Sequence, residues 1–465
     1  MTTESKPEES LSETLTKEDG KGEPVNSTPS TFTAIGNATG SASAGEQYPQ
    51  LIQAMRQLLE NQKKTTKPVK SQSVGPEPTK EHPFWSTQPV PKLGDKVVPT
   101  VNDPIETKSK DEFRKQEYPL LPEFYWDALD IGNQEQLHEL YTLLHDNYVE
   151  DDDAMFRFRY SHEFLTWALK PPGWKQQWHL GLRVHGSKKL VGFISAVPSQ
   201  IRVRGKSMKM TEVNFLCVHK KLRGKRMAAV LIREITRRCN EEGIVQAAFT
   251  TGALLPIEPV GACRYWHRSL DPQKLVDVGF SSIGKNMTMQ RMKKLFKVAE
   301  EPKTRGFRQT EERDIPAIHK LLTDYLSKFE LAPEFTLEEV NHYFLFKEKI
   351  IYSYVVADEQ GTVTDFVSFY SLPSTVVNHR SHDSVNAAYS FYNVATSRSW
   401  DDLMMDAIIM AKKNGFDVFN ALDALDNAKF LTNLKFGIGD GTLNYFLFNW
   451  KCAAMKSNEI GLILM

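Results

Sequence analysis

The strongest chemical signal in this chain is an apolar strand that runs directly into a cluster of basic residues. The strand candidate covers residues 212–218. The basic residues that follow it are His219, Lys220, Lys221, Arg223, Lys225 and Arg226. Residues 227–238 then carry apolar side chains at helical spacing, which predicts a helix. A buried strand therefore leads through a basic turn into a helix N-terminus, where free amides and the helix dipole favour bound phosphate groups.

Two other local patterns could carry chemistry. Cys217 and His219 are two residues apart, so on a continuous strand they share a face and could form a Cys–His acyl-enzyme pair. Buried structural cysteines are common, so this pattern is kept only as an alternative. His379 and His382 have helical spacing but lie in a loop-forming segment, and we predict no metal site there.

Composition excludes several classes of protein. The 465 residues carry equal numbers of acidic and basic side chains, so overall charge gives no reason to expect a nucleic-acid partner. The four cysteines form no CxxC pair or metal-ligand spacing, which indicates free thiols in a reducing compartment. The polar N-terminus is no signal peptide, and no apolar run reaches the roughly 18 residues of a membrane span. We therefore expect a cytosolic protein.

The first 80 residues differ from the rest of the chain. They are rich in Ser, Thr, Pro, Glu and Lys, and Phe32 and Tyr48 are their only aromatic residues. Such a segment cannot bury enough apolar surface to offset its ordering entropy, so we predict a disordered tail. Within it, residues 48–63 place apolar side chains on one helical face. This short helix is either transient or a docking element for a partner or the folded body.

The body contains an internal repeat. Residues 126–140 and 307–321 each read as a strand, a polar turn and an amphipathic helix. Each half later has a helix ended by glycine and followed by a strand, at 227–250 and 401–422. We therefore predict an α/β (α+β) fold of two copies of one unit, with halves at 81–300 and 301–465. They would form one body with a central mixed sheet. The element order resembles a tandem GCN5-related acetyltransferase (GNAT) fold.

Two long motifs resemble the signatures of one enzyme family. The first is residues 212–220, with the sequence EVNFLCVHK, and the second is residues 435–441, with the sequence KFGIGDG. Both are similar to signatures of the N-myristoyltransferases, the glycylpeptide N-tetradecanoyltransferases. The resemblance extends over residues 82–465. It implies transfer of a myristoyl group from myristoyl-CoA to the N-terminal glycine amine of a protein.

The resemblance also implies the catalytic groups. The backbone amides of Phe215 and Leu216 would form the oxyanion hole, and the C-terminal carboxylate of Met465 would take the proton from the glycine amine. The last five residues, 461–465, are wholly apolar, so we expect this terminus to be buried. The family often ends in Leu or Gln, but the carboxylate does not depend on the side chain.

For the CoA substrate, the resemblance implies two patches. They are expected to contain His82, Pro83, Phe84, Trp85, Phe215, Leu216, Cys217, Val218, Arg223, Gly224, Lys225, Arg226, Met227 and Ala228. The family usually has Ser at the position of Gly224 and Ala-Pro at residues 228–229, where this chain has Ala-Ala. The missing hydroxyl at Gly224 would remove one hydrogen bond to phosphate.

For the peptide substrate, the resemblance implies a groove lined by many aromatic residues. Its expected members are Tyr148, Asp151, Asp153, Phe156, Phe158, Tyr160, Asn214, Thr250, Tyr265, His267, Ser374, Tyr389 and Asp440. The acidic run at 150–153 would pair with a basic substrate residue. The glycines around Asp440 are expected to form a close turn over the peptide.

The remaining expectations concern partners and alternatives. We expect a monomer with no metal and no prosthetic group, which binds myristoyl-CoA before the glycine peptide. The N-terminal tail could associate with ribosomes or membranes. The alternatives are a catalytically inactive acyl-CoA or lipopeptide-binding adaptor, an acyl-enzyme based on Cys217, and an enzyme that also acylates lysine side chains.

Overall fold

The computed structural model describes residues 83–149, 155–377 and 379–465. The predicted tail at 1–80 and its helix near 48–63 lie outside the described residues. The helices are α1 Gln134–Asn147, α2 His162–Leu169, α3 Met227–Glu241, α4 Pro272–Asp277, α5 Met289–Phe296, α6 Ile315–Leu326, α7 Leu337–Phe344, α8 Trp400–Lys413 and α9 Ala428–Leu431. None of these described helices is both long and apolar enough to cross a membrane.

The strands alternate with these helices through both halves. They are β1 Asn102–Asp103, β2 Phe124–Ala128, β3 Phe156–Phe158, β4 His179–Val184, β5 Leu190–Val203, β6 Lys206–Val218, β7 Ala247–Thr251, β8 Gly261–Ser269, β9 Phe307–Gln309, β10 Leu331–Pro333, β11 Ile351–Ala357, β12 Val363–Ser371, β13 Ser374–Val376, β14 Ser384–Val385, β15 Ala387–Val394, β16 Val418–Leu422, β17 Gly437–Phe448 and β18 Lys451–Cys452.

One long mixed sheet organises the body. Its order is β2-β4-β5-β6-β7-β17-β8-β16-β15-β12-β11-β9, with β10 paired to β5. The order is symmetric: β2, β4, β5, β6 and β7 run inward from one edge, and β9, β11, β12, β15 and β16 run inward from the other. Each half has its parallel pair in the same place, β6 with β7 and β15 with β16. The predicted duplication of one α/β unit and the central mixed sheet are therefore confirmed.

The two halves exchange a strand at the centre of the sheet. Strand β17, from the second half, pairs with β7 of the first, and β8, from the first half, pairs with β16 of the second. The strands β17 and β8 also pair with each other. Neither half can complete its own sheet, so the described residues make a single compact unit. The boundary at residue 300 stays a prediction.

The parallel pair β6–β7 separates soon after it forms. Only Thr211 and Glu212 of β6 pair with β7, through Ala247 and Ala248. Beyond these residues β6 continues to Val218 and β7 to Thr251 without pairing to each other. The helix α3 connects the two strands and packs over the opening. The sheet therefore contains a wedge-shaped gap next to the first sequence motif.

Candidate active site

The first motif contains a β-bulge at the open part of the gap. Phe215 and Leu216 together stand opposite Ile194 of β5, because the register shifts between the pairs Phe193–Cys217 and Ser195–Asn214. Phe215 has a φ of +55°, a left-handed conformation that costs an L-residue about 1–2 kcal/mol. Its N–H donates to Oδ1 of Asn214 at 3.0 Å instead of to strand β5. The bulge thus turns this amide out of the ladder.

A largely apolar cavity of about 220 Å³ fills the gap between β6, β7 and α3. Its walls include Tyr148, Asn214, Phe215 and Leu216 at the bulge. Apolar side chains line the rest, among them Ile194, Val213, Ile235, Ile244, Phe249 and Leu255. A long hydrocarbon chain matches this lining, since burial of each methylene is worth about 0.8 kcal/mol.

Trp85 closes one side of the cavity. Its ring stacks on Phe249 with ring centres 6.3 Å apart, and Phe249 stacks on Phe446 at 5.2 Å. The neighbouring Phe84 lies under the guanidinium of Arg233. Two residues of the first predicted CoA patch, Phe84 and Trp85, therefore lie next to the cavity. Pro83 is exposed, and His82 lies outside the described residues.

The basic turn leads into an uncapped helix. Gly224 and Arg226 both have left-handed backbones, with φ of +76° and +60°. Arg226 is the N-cap of α3, and no side chain caps that helix end. The first amides of α3 are thus left for another acceptor, and Lys225 and Arg226 lie exposed beside them. Met227 is buried and Ala228 half-buried at the first turn of the helix.

Gly224, which departs from the family pattern, has a left-handed backbone. At a φ of +76° a residue with a Cβ is strained even though the space around Gly224 is open. The neighbouring Arg223 donates to the carbonyl of Asn147 at 2.6 Å, so its guanidinium joins the turn to α1. Val218, the last residue of β6, is half-buried beneath this turn.

Cys217 and His219 do not form a nucleophile–base pair. Cys217 is buried on the α1 side of the sheet, where its thiol approaches the carbonyl of Leu143. Burial raises the pKa of Cys217 to about 12, so the thiolate is scarce at neutral pH. His219 Nδ1 accepts the backbone N–H of Lys221. The geometry therefore gives no support to the alternative based on a Cys217 acyl-enzyme.

The predicted peptide residues form one continuous aromatic row. Tyr148, Tyr160 and Phe215 contact each other with ring centres 5.3–6.0 Å apart. The row continues by ring contacts through Phe158, Tyr389 and Tyr265. Ser374 pairs with Phe158 across β13 and β3. Residues separated by more than 200 positions thus meet along one line that begins at the bulge.

His267 occupies the far end of this row. Its Nδ1 lies 2.7 Å from Oδ1 of Asn420, and its ring packs edge-on against Phe280, which contacts Phe156 in the same way. Burial lowers the pKa of His267, and the Asn420 contact and the charge of Asp440 oppose that shift. A Cβ on Gly439 would lie 2.3 Å from His267 Nε2. The glycine therefore lets β17 approach the imidazole closely.

The sequence had suggested a close turn for the glycine-rich second motif. That prediction is wrong, because the motif forms part of a strand. Residues from Gly437 onward belong to β17, which pairs with β8, and the register is irregular between Ile438 and Thr442. Long-range pairing with β8 overrides the turn tendency of the glycines. Asp440 lies in this irregular segment, close enough to His267 to act on its charge.

Thr250 lines the cavity on the β7 side. Asp151 and Asp153 lie outside the described residues.

The C-terminus is buried as expected. Ile460, Leu462, Ile463 and Leu464 are each at most 7% exposed, and Gly461 is buried. Half-buried Met465 packs against the cluster that contains Ile463 and Phe215. Three backbone or side-chain bonds hold the segment: Leu425 N–H to the Ile460 carbonyl, Gly461 N–H to the Leu331 carbonyl, and Ile463 N–H to the hydroxyl of Tyr392. A chain end with these bonds has a defined position.

Two models of one protein family match this chain, one in each half. The family model described as "Myristoyl-CoA:protein N-myristoyltransferase, N-terminal domain" matches residues 104–263, and the model of the C-terminal domain matches residues 277–463. This chain belongs to the N-myristoyltransferase family.

Individual relatives are similar to this chain over most of their length. "Glycylpeptide N-tetradecanoyltransferase 2" of Bos taurus is 58% identical over 381 residues, which are 82% of this chain and 76% of the relative. The Drosophila melanogaster glycylpeptide N-tetradecanoyltransferase is 56% identical over 387 residues, which are 83% and 81% of the two chains. A crystal structure of Saccharomyces cerevisiae N-myristoyltransferase with bound myristoyl-CoA is 40% identical, with a TM-score of 0.79. The match covers 83% of this chain and all of that one.

Sequence reasoning missed several residues of this N-myristoyltransferase site. The acyl-sized cavity uses one face of α3, with Ile232, Ile235 and Cys239 at helical spacing. That periodicity was visible in the sequence, but it could not show that the face lines a cavity instead of the core. Asn420 and Phe280, which contact His267, were not among the predicted site residues.

Glu212, the first residue of the first motif, was not among the predicted site residues. It is the last residue of β6 that pairs with β7. Burial raises its pKa to about 7, the Ser199 hydroxyl opposes the shift, and the charge of Glu339 adds to it. Tyr343 and Tyr392 lie near enough to feel its charge. The first motif of this N-myristoyltransferase thus carries a carboxyl whose pKa is raised by burial.

Proposed function

We propose that this chain transfers a myristoyl group from myristoyl-CoA to the N-terminal glycine amine of proteins. The observation that carries the proposal is the apolar cavity that ends at the Phe215 bulge, where the aromatic row also begins. An acyl chain in the cavity and a peptide along the row would meet at this bulge. The names of the relatives and the myristoyl-CoA bound to the yeast enzyme support the same reaction.

Acyl-CoA binding would use the charge at the start of α3. The exposed Lys225 and Arg226 and the uncapped amides of α3 suit a pyrophosphate group. Phe84 and Trp85 would cover the pantetheine, and the hydrocarbon tail would fill the cavity beneath α3. This arrangement would hold the thioester carbonyl near Phe215.

The amides of Phe215 and Leu216 would stabilise the oxyanion. The neutral glycine nitrogen attacks the thioester carbon, the carbonyl oxygen becomes negative, and the carbon–sulfur bond then breaks. The second proton of the attacking nitrogen passes to the CoA sulfur, so that an amide and the CoA thiol are formed. Each preorganised amide is worth about 3 kcal/mol in such sites. The Phe215 N–H now donates to Asn214 Oδ1, so an incoming thioester oxygen would compete with that side chain.

The base would be the C-terminal carboxylate of Met465. The glycine ammonium must lose a proton before attack, and an α-amino group titrates near 8, so a modest base such as a carboxylate suffices. The bonds of Ile460, Gly461 and Ile463 support this role because they hold the chain end in the cluster that contains Phe215.

The peptide would lie along the aromatic row. Tyr148, Phe158 and Tyr389 would flank its first residues, and Ser374 and His267 would accept or donate hydrogen bonds further along. Asp440, together with Asp151 and Asp153, would attract a basic substrate residue. The predicted selectivity for glycine is a steric one, since a Cβ at the first position would clash with the site.

A thiol-release assay tests the function. Purified protein, myristoyl-CoA and a peptide that begins with glycine should release free CoA, and the same peptide that begins with alanine should not. Release of CoA from neither peptide, with myristoyl-CoA still tightly bound, would instead support the acyl-CoA-binding adaptor. Cys217→Ala should retain near-normal turnover, because its thiol faces Leu143.

We also propose a monomer that works in the cytosol, with the tail at 1–80 able to associate with ribosomes or membranes. The polar composition of the tail and its apolar face at 48–63 support this role. Deletion of residues 1–80 should leave peptide turnover unchanged and reduce sedimentation with ribosomes or membranes from a cell extract. Unchanged sedimentation would contradict it.

A further inference from the structure

A second cavity lies directly behind the acyl-sized one. It has a volume of about 430 Å³ and is lined by charged side chains, including Glu106, Lys108, Glu112, Arg114 and Arg233. Four residues line both cavities: Thr236, Asn240, Val245 and Phe448. These four residues separate the two cavities and are called the shared wall below.

The shared wall lies at the end of the acyl cavity that is farthest from the bulge. Phe215 marks the near end, and Thr211 lines the cavity four residues earlier on β6, roughly 13 Å away at the rise of a strand. The Thr211 N–H donates to the carbonyl of Gln246, the neighbour of Val245. Phe448 pairs with Ala247, which is the partner of Thr211. A chain whose carbonyl lies at Phe215 therefore points its methyl end at the shared wall.

The space beyond the shared wall does not favour hydrocarbon. Arg237, on that side of α3, is held by ion pairs with Glu234 and Glu241. Arg114 donates to the carbonyls of Gln116 and Glu117. Methylenes that entered this space would gain no apolar contact and would displace water from charged groups. The transition is abrupt, because one layer of side chains separates the two environments.

We propose that the shared wall sets the upper limit of acyl chain length, with Val245 as its specificity-determining residue. This inference rests on the proposed function, since it assumes that the acyl chain occupies the first cavity. Each methylene buried in the apolar part contributes about fourfold to affinity. A chain that reaches the wall gains the full benefit, and a longer chain must bend back or cross into the charged cavity.

Val245→Ala is the matched test, because it removes two carbons from the wall, the number by which palmitate exceeds myristate. We expect the ratio of kcat/KM for palmitoyl-CoA to that for myristoyl-CoA to rise at least tenfold. The ratio for lauroyl-CoA to myristoyl-CoA should stay within twofold, since the shorter chain does not reach Val245. The control is Ile244→Ala, which lines the acyl cavity alone. It should weaken all three substrates without raising the palmitoyl ratio.

Binding measurements separate this proposal from the proposed function. Calorimetric titration of both variants with palmitoyl-CoA, myristoyl-CoA and unacylated CoA needs no peptide and no turnover. Unchanged affinity for unacylated CoA and a thermal midpoint close to that of the parent protein would show that Val245→Ala is folded. A palmitoyl ratio that is unchanged in Val245→Ala, or raised equally in Ile244→Ala, would overturn the proposal. If no peptide is acylated but binding still selects acyl chains by length in the way described, the proposed transfer function would be rejected and the role of the shared wall would stand.

Discussion

The hydroxyl of Tyr392 accepts the backbone N–H of Ile463 at 3.0 Å, two residues before the end of the chain. Tyr392 is on the buried strand β15 and is 1% exposed, so this bond ties the terminal segment to the core of the second half. The bond thereby fixes the backbone two residues before the terminal carboxylate, through a residue that takes no part in the proposed proton transfer.

Removal of this hydroxyl should reduce catalysis without affecting acyl-CoA binding. Tyr392→Phe loses a buried hydrogen bond worth about 1 kcal/mol, which shifts the equilibrium between the held and the released terminal segment by about fivefold. We therefore expect kcat to fall by up to about fivefold, with unchanged affinity for myristoyl-CoA. The matched control is Tyr352→Phe, where the hydroxyl also accepts a backbone N–H, from Lys349 at 3.2 Å, in a different cluster. An equal fall in kcat for both variants would show a general loss of stability instead.

Extension of the chain by one residue should abolish turnover. A glycine added after Met465 moves the carboxylate by one residue, about 3.5 Å, while the apolar segment remains anchored by Gly461 and Ile463. We expect kcat to fall at least 100-fold and the affinity for myristoyl-CoA to remain. Replacement of Met465 by Leu keeps the carboxylate in place and should keep most activity. Full activity of the extended chain would exclude the terminal base.

Glu212 should make folding stability depend on pH. Burial raises its pKa to about 7, above the unfolded value of about 4.3. The folded state therefore binds the Glu212 proton more tightly than the unfolded state does. The contribution of protonated Glu212 to the free energy of unfolding is complete below about pH 4.3 and is lost as pH rises through 7. Glutamine does not titrate, so the thermal midpoint of Glu212→Gln minus that of the parent protein should increase as the pH is raised from 5 to 8. An exposed control, Glu359→Gln, pairs only with Arg305 among the described residues and should show no such trend.

Gly439 should be essential for the peptide site. A Cβ there would lie 2.3 Å from His267 Nε2 and 2.9 Å from the Tyr265 carbonyl, so Gly439→Ala must displace the imidazole or β17. We expect the KM for peptide to rise at least tenfold, with acyl-CoA affinity unchanged. Gly437→Ala is the matched control in the same motif, since its Cβ would meet only the His267 carbonyl at 3.9 Å. A similar effect of both substitutions would contradict this role of Gly439.

Local patterns predicted the elements well. The helix predicted from residue 227 is α3, which ends at Glu241 just before Gly243, and the helix predicted from 401 is α8 at Trp400–Lys413. Apolar periodicity and glycine stops are properties of neighbouring residues, so they can be read directly from the sequence. The family was likewise evident from the motifs at 212–220 and 435–441, and its membership is confirmed.

Long-range pairing decided what local patterns could not. The exchange of β8 and β17 between the halves, and the strand conformation of the glycine-rich motif, depend on partners about 170 residues apart, as at His267 and Gly437. No local preference specifies such a partner, because strand pairing is fixed by the burial of whole faces.

The sequence by itself determined the family, the duplicated α/β plan and the residues of both motifs. The tertiary structure alone decided the positive φ of Phe215, the bond between Tyr392 and Ile463, and the charged cavity behind Val245. Each of these depends on how separate elements pack. Backbone strain, a buried hydrogen bond and a cavity wall exist only when distant segments share one space, so the residues involved carry no signal until the chain is folded.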